Sequence, residues 1–373
     1  MQGPIGARVK ARLQNLNAKQ SEVAARVGMS PDAFSRSVNG QRSFSALELI
    51  DLAEVLGTSM HWLATGEPDP YELKLSARHT FDPETRSHIA HDWRQAKEVV
   101  ESAALAIRQA DYKPKQDLVD LSSRSPTDAA LMARRTLTGS AGADFVNSFP
   151  DAIEAAFGVP IFVYGHQHKF DAYAALINEV AFIVVEESGT WYRINWALAH
   201  ELGHILRKDL LSPDTARDDS TAEAWANAFA AELLMPANRM REIDWNSLDD
   251  AALVKVVWDL QVSAEALSNR LSSGVVRGVR RQDLLQRPTI RTLEQFVGPF
   301  PVMTRSERFR RPRFPVALLD AHRRLVEESR SSGQTLAWML GVPVEEINSS
   351  WGLPRENDLD SLTAAFGIAD SAV

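Results

Sequence analysis

Cysteine is absent from all 373 residues. That excludes disulfides, thiolate metal ligands and a cysteine nucleophile, so any metal must be held by His, Asp or Glu. It also fits a reducing compartment. Long apolar runs are missing as well: aliphatic stretches such as AFIVV at 181–185 are far too short to span a bilayer. The first residues, MQGPIGARVK, contain no apolar core of a secretion signal. A soluble, cytoplasmic protein without membrane association is expected. Net positive charge is lacking too, at −8 overall, which argues against non-specific nucleic-acid affinity of the whole chain.

What remains is an ordinary globular composition, 45% hydrophobic and 24% charged, with enough apolar material for a core without staples. The length suggests two or three domains. The charge is uneven: residues 1–42 carry seven Lys/Arg against two acids, Glu22 and Asp32. A basic head on an acidic body points to an anionic partner for the head alone.

Residues 5–66 read as five short helices. Ile5, Val9 and Leu13 recur every four residues on one face, and Val23, Ala24 and Val27 make a second face. Gly28 stops that helix. Ser30 caps the next, with Pro31 at its first position. SALE at 45–48 is a capping box that opens a fourth helix ended by Gly57, and SMHWLATG closes the set. A helix, a glycine turn and a Ser-capped helix form a geometry that can enter a major groove. The second helix of that pair offers Pro31, Asp32, Ser35 and Arg36, and Lys19, Gln20, Asn39 and Arg42 flank it as phosphate contacts. The stretch KQSEVAARVGMSPDAFSRSVNGQR…LIDLAEVLGTSMHWLATG resembles the helix-turn-helix of the lambda-repressor/Cro type, the XRE family, over residues 5–66. The resemblance implies double-stranded DNA as a partner and a homodimer as the working form, with Gln20 at the family's phosphate-binding position. Asp32 departs from the pattern by placing a negative charge on the base-facing side.

EPDP at 67–70 reads as a linker. Residues 71–111 look charged and helical, and two helices follow in DAALMARRTL and FPDAIEAAFG. VPIFVYG at 159–165 and AFIVVEE at 181–187 read as strands. Residues 250–285 read as helical, 286–316 as irregular and rich in Pro and Arg, 317–347 as helical, and the polar end as disordered. The expected class is mainly α with a small β-sheet (α+β). The domains are placed at 1–68 (helix-turn-helix head), 69–126 (helical linker region), 127–245 (a mixed helix-and-strand core) and 246–373 (helical, of unknown role).

Residues 199–206, AHELGHIL, carry the chemistry. Positions four apart on a helix lie about 40° apart around its axis, so His200 and His204 can present one nitrogen each to a single ion. Glu201 sits beside that face, where it can take a proton from water. This is the mechanical content of H-E-x-x-H. Gly203 allows close helix packing. A third protein ligand is usual for catalytic zinc, and Glu223 on the apolar helix AEAWANAFAAELLMP is the candidate, with Asn227 one turn on to orient a histidine. A second reading of Glu223 stays open, because STAE at 220–223 is itself a capping box that would turn the carboxylate onto Ser220.

HELGH followed by EAWANAFAAELLMP resembles the ImmA/IrrE family of zinc metallopeptidases, whose pattern HExGH…ExxANxFAAxLLMP is matched at Glu223, Ala226, Asn227, Phe229, Ala230, Ala231 and Leu233–Pro236. The resemblance covers about 130–240. It implies a zincin-like core with one Zn²⁺ on His200, His204 and Glu223, Glu201 as general base, and a regulatory protein, such as a repressor or antitoxin, as substrate in a stress response. The competing readings are a transcription regulator whose zinc fold is a sensor or scaffold, and an antitoxin-like partner protein. Among the other candidates, His166 and His168 sit on a loop that can line the cleft, and Tyr173 or Tyr192 can assist an oxyanion. His79, His88, His91 and His322 read as surface groups on polar helices, His61 as part of the head's core, and Trp196, Trp225 and Phe229 as core.

Overall fold

The computed structural model describes residues 4–67, 69, 72–76, 79–82, 87–90, 97–165, 171–211, 220–277, 279 and 283–351. The chain divides into two compact units. One runs from Met1 to Lys74 with Ser212–Ala216, and the other comprises Leu75–Leu211 and Arg217–Val373.

The first unit holds five helices, α1 (Pro4–Asn15), α2 (Gln20–Arg26), α3 (Pro31–Val38), α4 (Ala46–Leu56) and α5 (Met60–Thr65). Val9, Val23, Phe34, Leu52, Leu56 and Leu63 are buried at its centre. Gly28, at φ +68°, makes the turn between α2 and α3, and Ser30 Oγ then accepts the Ala33 amide at 3.2 Å. The Ser45–Glu48 capping box is formed at the start of α4. Arg12 donates to the carbonyls of Leu56 and Gly57 at the end of α4, and Arg8 to those of Leu63 and Ala64 at the end of α5. Two of the head's basic residues thus cap orphan carbonyls, where a helix terminus favours positive charge.

The second unit is built on a four-stranded mixed sheet in the order β1-β5-β6-β4. Its strands are β1 (Lys74–Leu75), β4 (Ile161–Tyr164), β5 (Ala172–Ile177) and β6 (Val180–Glu186), and a separate antiparallel pair comprises β2 (His79–Asp82) and β3 (Ser87–Ala90). β4 runs parallel to β6, and β5 antiparallel to it. Asn178 and Glu179 join β5 to β6 with φ of +48° and +66°, the two left-handed residues that a tight hairpin with native twist requires. On one face, Ala172, Ala174, Ile183 and Val185 meet the central helix. On the other, Phe162 packs edge-on against Phe182 and Phe314, and Phe314 against Trp338.

The helices of this unit are α6 (Lys97–Gln109), α7 (Pro126–Ala141), α8 (Phe149–Phe157), α9 (Trp191–Arg207), α10 (Ser220–Leu234), α11 (Ala237–Glu242), α12 (Asp250–Leu260), α13 (Ala264–Ser272), α14 (Thr289–Phe296), α15 (Pro299–Phe309), α16 (Val316–Glu327), α17 (Gln334–Leu340) and α18 (Val344–Trp351). The class is mainly α with a small sheet. The described residues of 75–126 and of 246–351 fall in the same unit as the described residues of 127–211 and 220–245. No helix among the described residues is long and apolar enough to cross a membrane.

Three sequence readings are corrected. Residues 71–111 are not helical throughout: three short strands precede α6, because HTF and SHIA carry β-branched and aromatic residues on either side of Asp-Pro. Residues 286–316 are not irregular, since α14 and α15 lie there. The prolines of PFPVMTRSERF fall in the first turn of α15, where the missing amide costs nothing. His322 is not a surface group. It is 0% exposed on the inner stripe Leu318–His322–Val326 of α16, and its Nε2–H donates to Ala106 O at 2.8 Å. His79 and His88 lie on strands rather than helices. His61, read as part of the head's core, is only half-buried. His91, His166, His168 and the polar end lie outside the described residues.

Candidate metal centre and DNA-binding face

The centre is built where α9 crosses α10. A Cβ on Gly203 would lie 3.0 Å from Phe229 Cδ1 and 3.6 Å from Ala226 Cα, so the hydrogen at this position is what brings α10 close to α9. The approach carries Glu223 up to the two histidines. His200 Nε2 and His204 Nε2 lie 3.1 Å apart. Glu223 Oε2 is 3.3 Å from the first and Oε1 is 3.4 Å from the second. All three side chains are buried, and their ligand atoms lie within 4.8 Å of one another. The carboxylate therefore faces the imidazoles, not the start of its own helix.

The set fits a divalent cation. Glu223 Oε1 is buried and has no short hydrogen bond, its nearest imidazole nitrogen being His204 Nε2 at 3.4 Å, and a buried carboxylate oxygen held so loosely is costly. A cation at the common focus of the three side chains would satisfy it. The nitrogens that face away are occupied: His200 Nδ1 donates to Asn227 Oδ1 at 3.2 Å, and His204 Nδ1 to Asp209 Oδ1 at 3.0 Å. With an ion bound, both Nε2 atoms would act as lone-pair donors. Burial alone would lower the pKa of His204, but its hydrogen bonds to Asp209 and Glu223 and the negative charges nearby reverse this and raise it to about 10. Burial alone would raise the pKa of Glu223, but the two histidines hold it well below the usual carboxylate range.

Glu201 is 0% exposed. Its Oε2 accepts from Ser76 Oγ at 2.8 Å and from the Ala174 amide at 2.7 Å. The Ala174 carbonyl in turn accepts the Ser76 amide at 3.0 Å. Both polar groups of Ala174 therefore serve the outer edge of β5, one toward the glutamate and one toward the serine. Ser76 and Asp209 escaped the sequence reading, since nothing in KLSA or RKDL marks either residue. Tyr173 is buried in β5. Tyr192 is buried against Trp191, with ring centroids 5.5 Å apart, and burial pushes its hydroxyl pKa up. Phe229 is in the core, with Trp225 stacked on it at 5.4 Å. Trp196 is half-buried against the same core.

On the head, Pro31, Asp32, Arg36 and Asn39 are exposed on α3 and at its end, and Ser35 is half-buried. Asp32 pairs with Arg36 at 3.1 Å, one turn along the helix, which accounts for the carboxylate on this face. Lys19 and Gln20 are exposed at the start of α2, and Lys19 lies 3.4 Å from Glu22. Asn39 Oδ1 accepts from Lys10 Nζ at 2.9 Å. Arg42 is exposed but engaged: its guanidinium donates to both carboxylate oxygens of Glu48, at 2.7 and 2.9 Å, and to Ser37 Oγ at 3.0 Å.

Residues 157–272 match the family model described as Peptidase_M78, IrrE N-terminal-like domain. Residues 9–63 match the one described as helix-turn-helix, HTH_3. No curated protein and no solved structure matches the chain. The two matches stand in the order that the sequence motifs imply: a helix-turn-helix of a DNA-binding regulator, followed by a peptidase-type domain.

Proposed function

We propose that the chain is a DNA-binding transcription regulator with a zinc-dependent endopeptidase in its second unit. The observation that carries this reading is the buried convergence of His200, His204 and Glu223, with a carboxylate oxygen that makes no short hydrogen bond at their focus and Glu201 on the helix of the two histidines. His200, His204 and Glu223 would hold one Zn²⁺ per chain, and such an ion would supply Lewis acidity and bring the pKa of water down to about 7. Glu201 is the general base: its carboxylate, anchored through Oε2 by Ser76 and Ala174, takes the proton of the attacking water and passes it to the leaving amine. Asn227 keeps the His200 ring in the orientation that presents Nε2.

Lys19, Gln20, Pro31, Asp32, Ser35, Arg36 and Asn39 form the DNA-facing side of the head. Arg42 braces that side through Glu48, a change from the phosphate contact expected of it. A head of this type reads paired half-sites as a homodimer. The domain order is 1–68 head, 69–126 linker region, 127–245 peptidase and 246–373 helical region. A DNA-binding head on a peptidase favours a regulatory protein, such as a repressor or antitoxin, as substrate in a cytoplasmic stress response.

The test compares wild type with Glu201→Gln. Both are expected to hold about one zinc per chain by elemental analysis, and only wild type is expected to deplete an intact regulatory protein in a whole-proteome comparison of cleaved termini. Zinc in both with identical cleavage profiles removes the peptidase and leaves a metal-stabilised regulator.

A further inference from the structure

The helix that carries the histidines ends on a left-handed residue that is not glycine. Lys208, with φ +62° and ψ +34°, takes the left-handed position that closes α9, and the chain reverses there. The reversal returns Asp209 to the helix it has just left, where Oδ1 accepts from His204 Nδ1 at 3.0 Å and Oδ2 accepts from Arg207 Nη1 at 3.0 Å. Two residues on, Leu211 is fastened to Leu75 by both of its backbone groups, at 2.8 and 2.7 Å. Ser76, the neighbour of Leu75, is the residue that holds Glu201. One two-residue bridge thus fixes the chain on either side of the centre.

We propose that Asp209 is the positioning residue of His204, and that the Leu75–Leu211 bridge is the clamp that keeps it in place. This rests on the zinc reading given above. For Nε2 to act as a lone-pair donor, the ring hydrogen must sit on Nδ1, and an acceptor fixed opposite Nδ1 selects that tautomer and the ring's rotation. The two histidines differ in this respect. His200 is oriented by the neutral amide of Asn227 from α10, whereas His204 faces a carboxylate, which also strengthens its nitrogen as a donor. The carboxylate is set by backbone on both sides, by the left-handed turn before it and the bridge after it, so it does not depend on the ion for its position.

The experiment is a zinc competition with a chromophoric chelator on the full-length chain, using wild type, Asp209→Ala, Asp209→Asn and Leu75→Pro, with a thermal melt of each metal-free protein. Asp209→Ala is expected to weaken zinc binding about 10- to 100-fold, the usual loss when a ligand's outer partner is removed. Asp209→Asn keeps an oxygen that can accept from Nδ1 and is expected to recover most of the affinity. Leu75→Pro removes the amide that donates to Leu211 without touching any side chain of the centre, and is expected to lower affinity in the same direction. Unchanged affinity in Asp209→Ala, or equal losses in the Ala and Asn variants, overturns the role of Asp209. Unchanged affinity in Leu75→Pro overturns the clamp. A wild-type chain that holds no zinc sinks the underlying reading instead, so the two failures are distinct.

Discussion

The Ser76 hydroxyl lies 2.8 Å from Glu201 Oε2, although the two residues are 125 positions apart in the chain. The acceptor is a carboxylate with no exposure, so the bond carries more weight than an ordinary surface contact. Hydrogen bonds to buried charged groups contribute about 1.5–3 kcal/mol. Ser76→Ala is expected to destabilise the second unit by that amount, read as a shift in the urea unfolding midpoint. Ser76→Thr, which keeps the hydroxyl, is expected to lose less. Equal stability of Ser76→Ala and wild type would show that the serine bond contributes nothing to holding the glutamate.

Gly203 faces Phe229 across the helix crossing, and an added methyl would press on a ring that is itself buried and stacked on Trp225. Alanine gains about 1 kcal/mol over glycine in a helix, which offsets most of the strain of a 3.0 Å contact. Valine has no such margin. Gly203→Val is expected to cost about 1–3 kcal/mol by overpacking and to weaken zinc binding by shifting α10, the helix that carries Glu223. A competition assay alongside a melt separates this from Gly203→Ala, for which both changes are expected to be small.

The grouping of the candidate metal ligands was legible because its chemistry has a period. His200, Glu201 and His204 announce themselves by spacing on one helix, and Glu223 with Asn227 by spacing on the next. Only the rival capping role of Glu223 needed coordinates to resolve. The supports were not legible: Ser76 and Asp209 act through chain reversals and a two-residue bridge, which leave no pattern in the sequence. β5 was missed for a related reason. AYAALI is rich in alanine, a poor strand former, yet alanine is what α9 needs against the sheet. His322 shows the opposite case, since its four-residue spacing with Leu318 and Val326 was visible while the polar residues around it obscured it.

Zinc uptake is expected to release protons near neutral pH. The raised pKa of His204, about 10, means that the metal-free centre holds a proton there that a cation must displace. Titration calorimetry in buffers of different ionisation enthalpy measures the release directly, and heats independent of buffer would contradict it. The same groups set the stability of the metal-free chain. His204 contributes stability that is complete below its unfolded value of 6.5 and is lost as pH rises toward 10. Glu223, whose pKa is depressed, contributes above its unfolded value of 4.5 and loses that contribution as pH falls. Melts with chelator should therefore be highest between these two unfolded values, and saturating zinc should move the maximum to higher pH.

On the head, the two arginines separate binding from bracing. Arg36 is exposed on α3 and pairs with Asp32, the side chains being 54% and 80% exposed, which is worth little in water. DNA can therefore take the guanidinium over at small cost, and Arg36→Ala is expected to weaken specific binding by about 1–3 kcal/mol without lowering the melting temperature. Asp32→Ala removes a negative charge from the same face and releases the arginine, so it should tighten binding to any sequence and steepen the salt dependence by up to about one counterion. Arg42 is a different case, because its guanidinium already spans Ser37 and both oxygens of Glu48. Arg42→Ala should lower the melting temperature of the head first and DNA affinity only through it. Footprints that vanish in Arg42→Ala while the melt is unchanged, and persist in Arg36→Ala, would reverse the two roles and place the contact surface at the end of α3 rather than along it.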